Sequence, residues 1–373
     1  MKWYTPLMIS RFILITTGTL LILNCCKNGY EGISGKDESS GKSLASDLMP
    51  VNIASPLSSS KYTIGDVVPL KITSRADTLL FDSARIYLNG NYYTTLAGDE
   101  LTGEIATDSL GTGRTRIKTE VFSTDYKSRV LSTSVILLSD IEPTSWDFEV
   151  IDKFNHDKNA YTQGLVYEDG FLYESTGQYG RSTLRKVVPN TGEVVKSLNL
   201  KSDLFGEGIA LYNDKIVQIT WKSQVGFVYD KKTFELINKI YYQNREGWGI
   251  TWDGKQFFMS DGSNTLYILD KEYFSVKGTL EVYDNNGPVN YLNELEMING
   301  RLYSNIWGKE HIVVIDPEKG KVLARIDLKS IVPEGYSGDP DLVMNGIAYN
   351  PDSRTLYVTG KNWPILYEIR VLE

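Results

Sequence analysis

Five stretches of this chain begin alike: TQGLVY, GEGIAL, GWGITW, NELEMI and MNGIAY, with Gly164, Gly208, Gly249, Leu295 and Gly346 in corresponding places. Successive separations are 44, 41, 46 and 51 residues. After each start comes a turn such as EDG or WDG, then a strand such as FLYEST or QFFMSD, then a third strand such as TLRKV or TLYILD. A period of 40 to 50 residues with several short strands per repeat points to propeller blades rather than solenoid coils. The spacing therefore predicts a five-bladed β-propeller over residues 142–373; discounting NELEMI would leave four blades. The innermost strands of a propeller surround one axis, so equivalent positions at blade starts face a common mouth. Repeated glycines let backbones crowd there, and the residue before each glycine is free to differ.

The rest of the 373-residue chain divides into three parts. Lys2 and Arg11 precede the apolar run FILITTGTLLILN, which is too short for a membrane span and ends at Cys25. The segment LILNC resembles a bacterial lipoprotein box, which implies a signal peptide over 1–25 and a lipid on Cys25. Asn24 is larger than the residue usual before that cysteine, and Cys26 is the alternative. Residues 26–49, rich in Gly, Ser and charge, read as a flexible tether. The expectation is a monomer lipid-anchored in a bacterial cell envelope, at the outer membrane or facing the periplasm. From 50 to 141 about seven short strands with frequent turns predict an immunoglobulin-like β-sandwich. Asn89-Gly90 marks a hairpin there, because a type I′ turn needs positive φ at both central residues.

Composition narrows the chemistry. The 24 tyrosines and 7 tryptophans suit pleated, half-buried surfaces. A formal net charge of -8 without a basic stripe argues against a nucleic-acid partner. Cys25 and Cys26 are the only cysteines and both precede the expected sandwich, so the folded part has neither disulfide nor thiol nucleophile. His156 and His311 are the only histidines and cannot form a three-histidine zinc site. No metal and no cofactor is expected.

The groups that vary at the blade starts are Gln163, Glu207, Trp248, Asn293 with Glu294, and Asn345. A second tier lies beyond the next strand: Glu174, Trp221, Asp261, Trp307 and Lys361. Trp221 lies 14 residues after Glu207 and Trp307 lies 14 after Asn293, which places both indoles at equivalent points. With Trp248 they would form an aromatic wall beside one carboxyl, and an apolar wall raises a carboxyl pKa into the range of a general acid/base. Tryptophans also pack between blades and polar residues also cap strand ends, so each position has a structural reading beside the functional one. His156 reads as holding a loop. These residues leave open an enzyme acting through one carboxylate, a calcium-dependent lactonase-like hydrolase with Glu207, Asn293 and Asn345 as oxygen ligands, and a non-enzymatic binding propeller.

The motifs HDKNAYTQGLVYEDGFLYESTGQYGRSTLRKV, FGEGIAL, QITWKSQVGFVYD, EGWGITWDGKQFFMSDGS, LNELEMINGRLYSNIW and NGIAYNPDSRTLYVTGKNWPILYEI resemble, in order, the plant and bacterial type of glutaminyl-peptide cyclotransferase, also called glutamine cyclotransferase. The resemblance runs from about Val150 to the C-terminus and leaves out the N-terminal sandwich. It implies a five-bladed propeller that converts an N-terminal glutaminyl residue to pyroglutamate with loss of ammonia. It also implies a peptide or protein substrate with N-terminal Gln. By motif match the family's catalytic carboxylate falls on Glu207. Its pocket residues fall on Gln163, Trp221, Trp248, Asn293, Trp307 and Lys361.

Overall fold

The computed structural model describes residues 48–76 and 78–373. The expected signal peptide, the lipidation site Cys25 and the tether up to residue 47 lie outside the described residues. Among those described there is no α-helix; one 3₁₀ turn, Lys329–Ile331, interrupts an all-β chain.

Eight strands precede the repeats, one more than expected. They are β1 (Val51–Ser55), β2 (Ser60–Thr63), β3 (Val67–Ser74), β4 (Phe81–Leu88), β5 (Asn91–Ala97), β6 (Leu101–Ala106), β7 (Gly113–Ser123) and β8 (Arg129–Leu138). They form a three-stranded sheet, β1-β3-β6, and a five-stranded sheet, β2-β8-β7-β4-β5. Strand β7 shows why: Ile117, Thr119 and Val121 alternate inward while Arg114 and Arg116 face out. Val68, Ile86, Leu101 and Leu137 complete one core; each buried side chain of this size contributes roughly 1.5–3 kcal/mol. Asn89 and Gly90 both carry positive φ, 49° and 92°, at the β4–β5 turn.

The segment 142–143 leads into β9 (Thr144–Asn155). The first repeat unit is β10 (Thr162–Glu168), β11 (Phe171–Thr176), β12 (Thr183–Val187) and β13 (Val194–Asn199). The second is β14 (Gly206–Tyr212), β15 (Lys215–Thr220), β16 (Val225–Asp230) and β17 (Leu236–Tyr241). The third is β18 (Ile250–Trp252), β19 (Phe257–Ser260), β20 (Thr265–Leu269) and β21 (Val276–Glu281). Each of these three is a separate antiparallel sheet. The fourth unit is β22 (Leu292–Ile298), β23 (Arg301–Ile306), β24 (His311–Ile315) and β25 (Val322–Asp327). The fifth has β26 (Met344–Asn350), β27 (Thr355–Gly360) and β28 (Ile365–Leu372), and takes its outer strand from β9. Strand β9 also pairs in parallel with β25 through Ala324↔Thr144 to Ile326↔Trp146, so the last two units share one eight-stranded sheet.

The first strands lie side by side in a closed circuit: β10 on β14, β14 on β18, β18 on β22, β22 on β26, and β26 back on β10. Glycine at the starts results from that crowding. A Cβ on Gly164 would stand 2.6 Å from Ile209 N, and one on Gly208 would stand 2.6 Å from Ile250 N. The register corrects one expectation. Leu292 and Leu295 of β22 pair as Met344 and Ile347 of β26 do, so the residue equivalent to the glycines is Glu294, not Leu295. A bulge between paired residues in both strands hides this one-residue offset from spacing alone. Glu294 uses the room that glycines leave: its Oε1 accepts from Leu165 N (3.3 Å) and its Oε2 from Ile347 N (3.0 Å).

The front strands are fastened to the outer turns of the third and fourth units. Thr112 N and Lys319 O are 2.7 Å apart, Thr112 Oγ1 donates to Glu281 O at 2.6 Å, and Lys321 Nζ meets Asp140 at 2.7 Å.

Candidate active site

The register that aligns the first strands also aligns the residues just beyond the second strands. Gly206 pairs with Thr220, Leu292 with Ile306 and Met344 with Gly360, so Trp221, Trp307 and Lys361 are the next residues at equivalent points. With Gln163, Glu207, Trp248 and Asn293 from the first strands and their approaches, they line one cavity of about 460 Å³. All seven nominated residues meet there. Tyr161, Gln178, Phe205, Pro340 and Asp341 complete the lining. Sequence reasoning missed these five; the aromatic signal at Tyr161 and Phe205, each beside a repeat start, was available to find two of them.

Other nominees are elsewhere. In the first unit Thr162 pairs with Thr176, so Gly177 and not Glu174 occupies the second-tier place. Glu174 is buried within the unit, accepting from Thr162 Oγ1 at 2.7 Å and facing His156 Nε2 at 3.1 Å, with Arg185 at 3.8 Å. His156 Nδ1 lies 2.7 Å from Trp363 O, so the imidazole ties loop to strand. Burial pulls its pKa down, but the charge of Glu174 and its hydrogen bond outweigh that and raise it. The opposite holds for Glu174, held below the ordinary range against burial by His156 and Arg185. Asp261 accepts from Ser263 and from the Tyr267 hydroxyl instead of facing the cavity. Asn345 is buried behind Gln163, donating from Nδ2 to Thr162 O and Gln163 Oε1, each at 3.1 Å.

The walls are aromatic. Trp248 and Trp307 meet edge to face with centroids 6.3 Å apart, and Phe205 packs on Trp221 at 5.4 Å. Tyr161 stands edge-on to Phe205 at 6.0 Å and lies under Lys361 Nζ, 4.9 Å from its ring centroid. Trp221 and Trp248 are not free donors: both indole N–H groups go to Glu246 Oε2, at 2.8 and 2.9 Å.

Against those walls sit buried polar groups. Glu207, Gln163, Asn293 and Lys361 are each 4% exposed or less. Burial pushes the Glu207 carboxyl well above the ordinary carboxylate range; Lys361 and the Gln163 side chain oppose that rise, and the charge of Glu246 adds to it. Burial likewise pushes the Lys361 ammonium down to about 8, with Glu207 and Asp341 resisting. Asn293 Oδ1 is buried with no partner among the described residues. A buried, unpaired amide oxygen lining the same cavity as a carboxyl whose pKa burial raises is an arrangement that a polar ligand would complete. Water-excluding walls, one proton-exchanging carboxyl and amide donors suit proton transfer on a small polar group with an aliphatic stem.

Comparison with known proteins gives a consistent result. A family model described as glutamine cyclotransferase matches residues 104–371, beginning inside β6 of the front strands. The chain is 39% identical over 230 residues to a glutaminyl-peptide cyclotransferase of Arabidopsis thaliana, covering 60% of this chain and 71% of that protein. It is also similar to the crystal structure of Myxococcus xanthus glutaminyl cyclase. That match has 32% identity and a TM-score of 0.58, and covers 62% of this chain and 99% of the other.

Proposed function

This chain belongs to the glutamine cyclotransferase family and is a glutaminyl-peptide cyclotransferase, and we propose that it works in the tryptophan-walled cavity with Glu207 as the proton carrier. The observation that carries this is the burial of Glu207 in one cavity with Gln163, Asn293, Lys361 and three indoles.

The reaction needs positioning more than a protein nucleophile. The substrate's own α-amine attacks its γ-carboxamide carbon, so the reacting groups are already in one residue and the cavity has to fold them together. As the new C–N bond forms, the attacking nitrogen must lose a proton. As the old C–N bond breaks, the departing nitrogen must gain one and leave as ammonia. Glu207 takes the first proton and delivers it to the second site, ending in its starting state, and a raised pKa suits it to both halves of that task. Negative charge growing on the carboxamide oxygen needs donors already in place. Gln163 offers its NH₂ end, because its Oε1 is held by Asn345. Asn293 and the Trp307 indole are the other candidates, while Trp221 and Trp248 have their N–H groups engaged. The indoles hold the aliphatic stem of the glutamine and keep out water. The buried Lys361 ammonium lies within the field of Glu207 and steadies its anionic form.

The calcium-hydrolase reading would need Asn345 Oδ1 as a ligand in the cavity, yet Asn345 is fully buried behind Gln163 and does not line it. The closed circuit of first strands, with four strands per unit and β9 completing the fifth, supports a five-bladed propeller over 142–373. The two sheets of β1–β8 around one core support an immunoglobulin-like sandwich over 50–141. The apolar run ending at Cys25, with a polar tether behind it, supports a lipid-anchored protein of the bacterial cell envelope. Ammonia release from a Gln-initiated dipeptide is the assay for the reaction; no release by folded, purified protein would refute it.

A further inference from the structure

Glu246 lies in the connector between β17 and β18 and belongs to neither strand. Its Oε2 accepts the indole N–H of Trp221, which comes just after β15, and of Trp248, which precedes β18. These indoles come from different repeat units, and this one oxygen atom joins them. Its Oε1 lies 3.7 Å from Lys222 Nζ, which itself sits 3.6 Å from the Trp221 ring centroid. The connector backbone is held independently: Gly247 N donates to Trp221 O and Trp248 N to Ser260 O, both at 2.9 Å. The Glu246 side chain is therefore not needed to route the chain.

We infer that Glu246 is a positioning residue for the cyclisation, fixing the ring planes of Trp221 and Trp248 with one carboxylate oxygen. An indole without a partner for its N–H turns about two side-chain torsions, and the cavity wall turns with it. Charge-assisted bonds are the stronger kind, so one carboxylate accepting twice is an effective latch. The charge has a second effect. Of the groups around Glu207, Lys361 and Gln163 favour its anion, while Glu246 disfavours it. The phenols of Tyr161 and Tyr242 also lie within its field, and Asp341 acts on Lys361. Glu246 is thus the one carboxylate among these that opposes ionisation of Glu207 directly.

The inference rests on the site reading above, and the test separates the two. Glu246→Ala and Glu246→Gln are compared with wild type and with Glu207→Gln in the full chain. The readouts are kcat, KM, the pH profile of kcat/KM on a Gln-initiated dipeptide, tryptophan fluorescence and the unfolding midpoint. Glu246→Ala should remain folded, lose roughly ten- to a hundredfold in kcat/KM with most of the change in KM, and show altered indole emission. Glu246→Gln can still accept both indole N–H groups on its carbonyl oxygen. It should recover KM to within a few-fold of wild type, yet its pH-profile limb assigned to Glu207 should move to lower pH, since the repelling charge is gone. A merely structural residue would change the unfolding midpoint and leave that limb in place. Wild-type KM and pH profile in folded Glu246→Ala would overturn the inference while leaving Glu207 untouched. Normal turnover by Glu207→Gln would overturn the site reading and this inference with it.

Discussion

Asn345 holds Gln163 by its carbonyl: Nδ2 of the first donates to Oε1 of the second at 3.1 Å, and both side chains are buried. That bond decides which end of the Gln163 amide serves the cavity. Asn345→Leu keeps the volume and removes the donor, so Gln163 is free to turn. The expected cost is about tenfold in kcat/KM, the worth of one ordinary buried hydrogen bond. Steady-state kinetics with the unfolding midpoint as control checks it; unchanged kinetics would mean the Gln163 amide does not touch the reacting group.

Lys361 gives a pH prediction with a definite sign. Its pKa falls to about 8 in the fold from 10.5 when free. Between those values the folded chain binds fewer protons than the unfolded one, so stability rises with pH there. The penalty for burying the cation is full below 8 and fades towards 10.5. Wild type should therefore gain stability relative to Lys361→Met across that window. If the charged form steadies Glu207, kcat/KM should also fall above about pH 8, and Lys361→Met should remove that limb. Parallel stability curves for the two proteins would contradict the assignment.

Much of the fold and the site was legible in the sequence, for a physical reason. Gly164 and Gly208 are required where neighbouring backbones pass too near for a Cβ, so they recur at a countable period, and the 14-residue offset of Trp221 and Trp307 reflects equal hairpins. Glu294 broke the pattern because its carboxyl fills space that a glycine elsewhere leaves empty, and the bulge beside it shifted the alignment to Leu295. Glu174 was misplaced for the same kind of reason: counting along β11 does not show that Gly177 is the residue facing the mouth. Asn345 was legible as a blade-start residue, but its bond to Gln163, like the bonds of Glu246 to two indoles, joins different units, which no local pattern encodes. Strand β9 was not legible as the outer strand of the fifth unit, because its partner β28 is more than two hundred residues away in sequence.

The competing acids should prove structural. Glu174→Gln breaks a buried pair and should cost about 3–5 kcal/mol of stability while sparing kcat in whatever protein remains folded. The stabilisation from Glu174, whose pKa is lowered, is present above the ordinary carboxylate range and lost as pH falls through its folded value. That from His156, whose pKa is raised, is present below about 6.5 and lost as pH rises through its folded value. Glu294→Gln keeps one acceptor for the two N–H groups of Leu165 and Ile347 and should cost roughly 1–3 kcal/mol, again with kcat intact. A folded Glu294→Gln enzyme without turnover would move the proton carrier to the ring axis.

The front strands touch the repeats at outer turns, through Thr112, Asp140, Glu281 and Lys319, and contribute nothing to the cavity lining. A chain starting at Glu142 should keep kcat/KM within about twofold and lose some thermal stability. It should also stay in the soluble fraction, whereas the full chain, and not its Cys25→Ser variant, should sediment with membranes. A soluble, folded but inactive truncated chain would show that residues before 142 shape the site.

The central claim is that one buried carboxyl carries the proton between the two nitrogens. Glu207→Gln preserves size and hydrogen-bonding capacity but cannot exchange that proton. General acid/base catalysis is typically worth about 10²–10⁴ in rate, so kcat for ammonia release from a Gln-initiated dipeptide should fall by that factor, with KM and the unfolding midpoint little changed. Near-normal kcat in a folded Glu207→Gln protein would contradict the account.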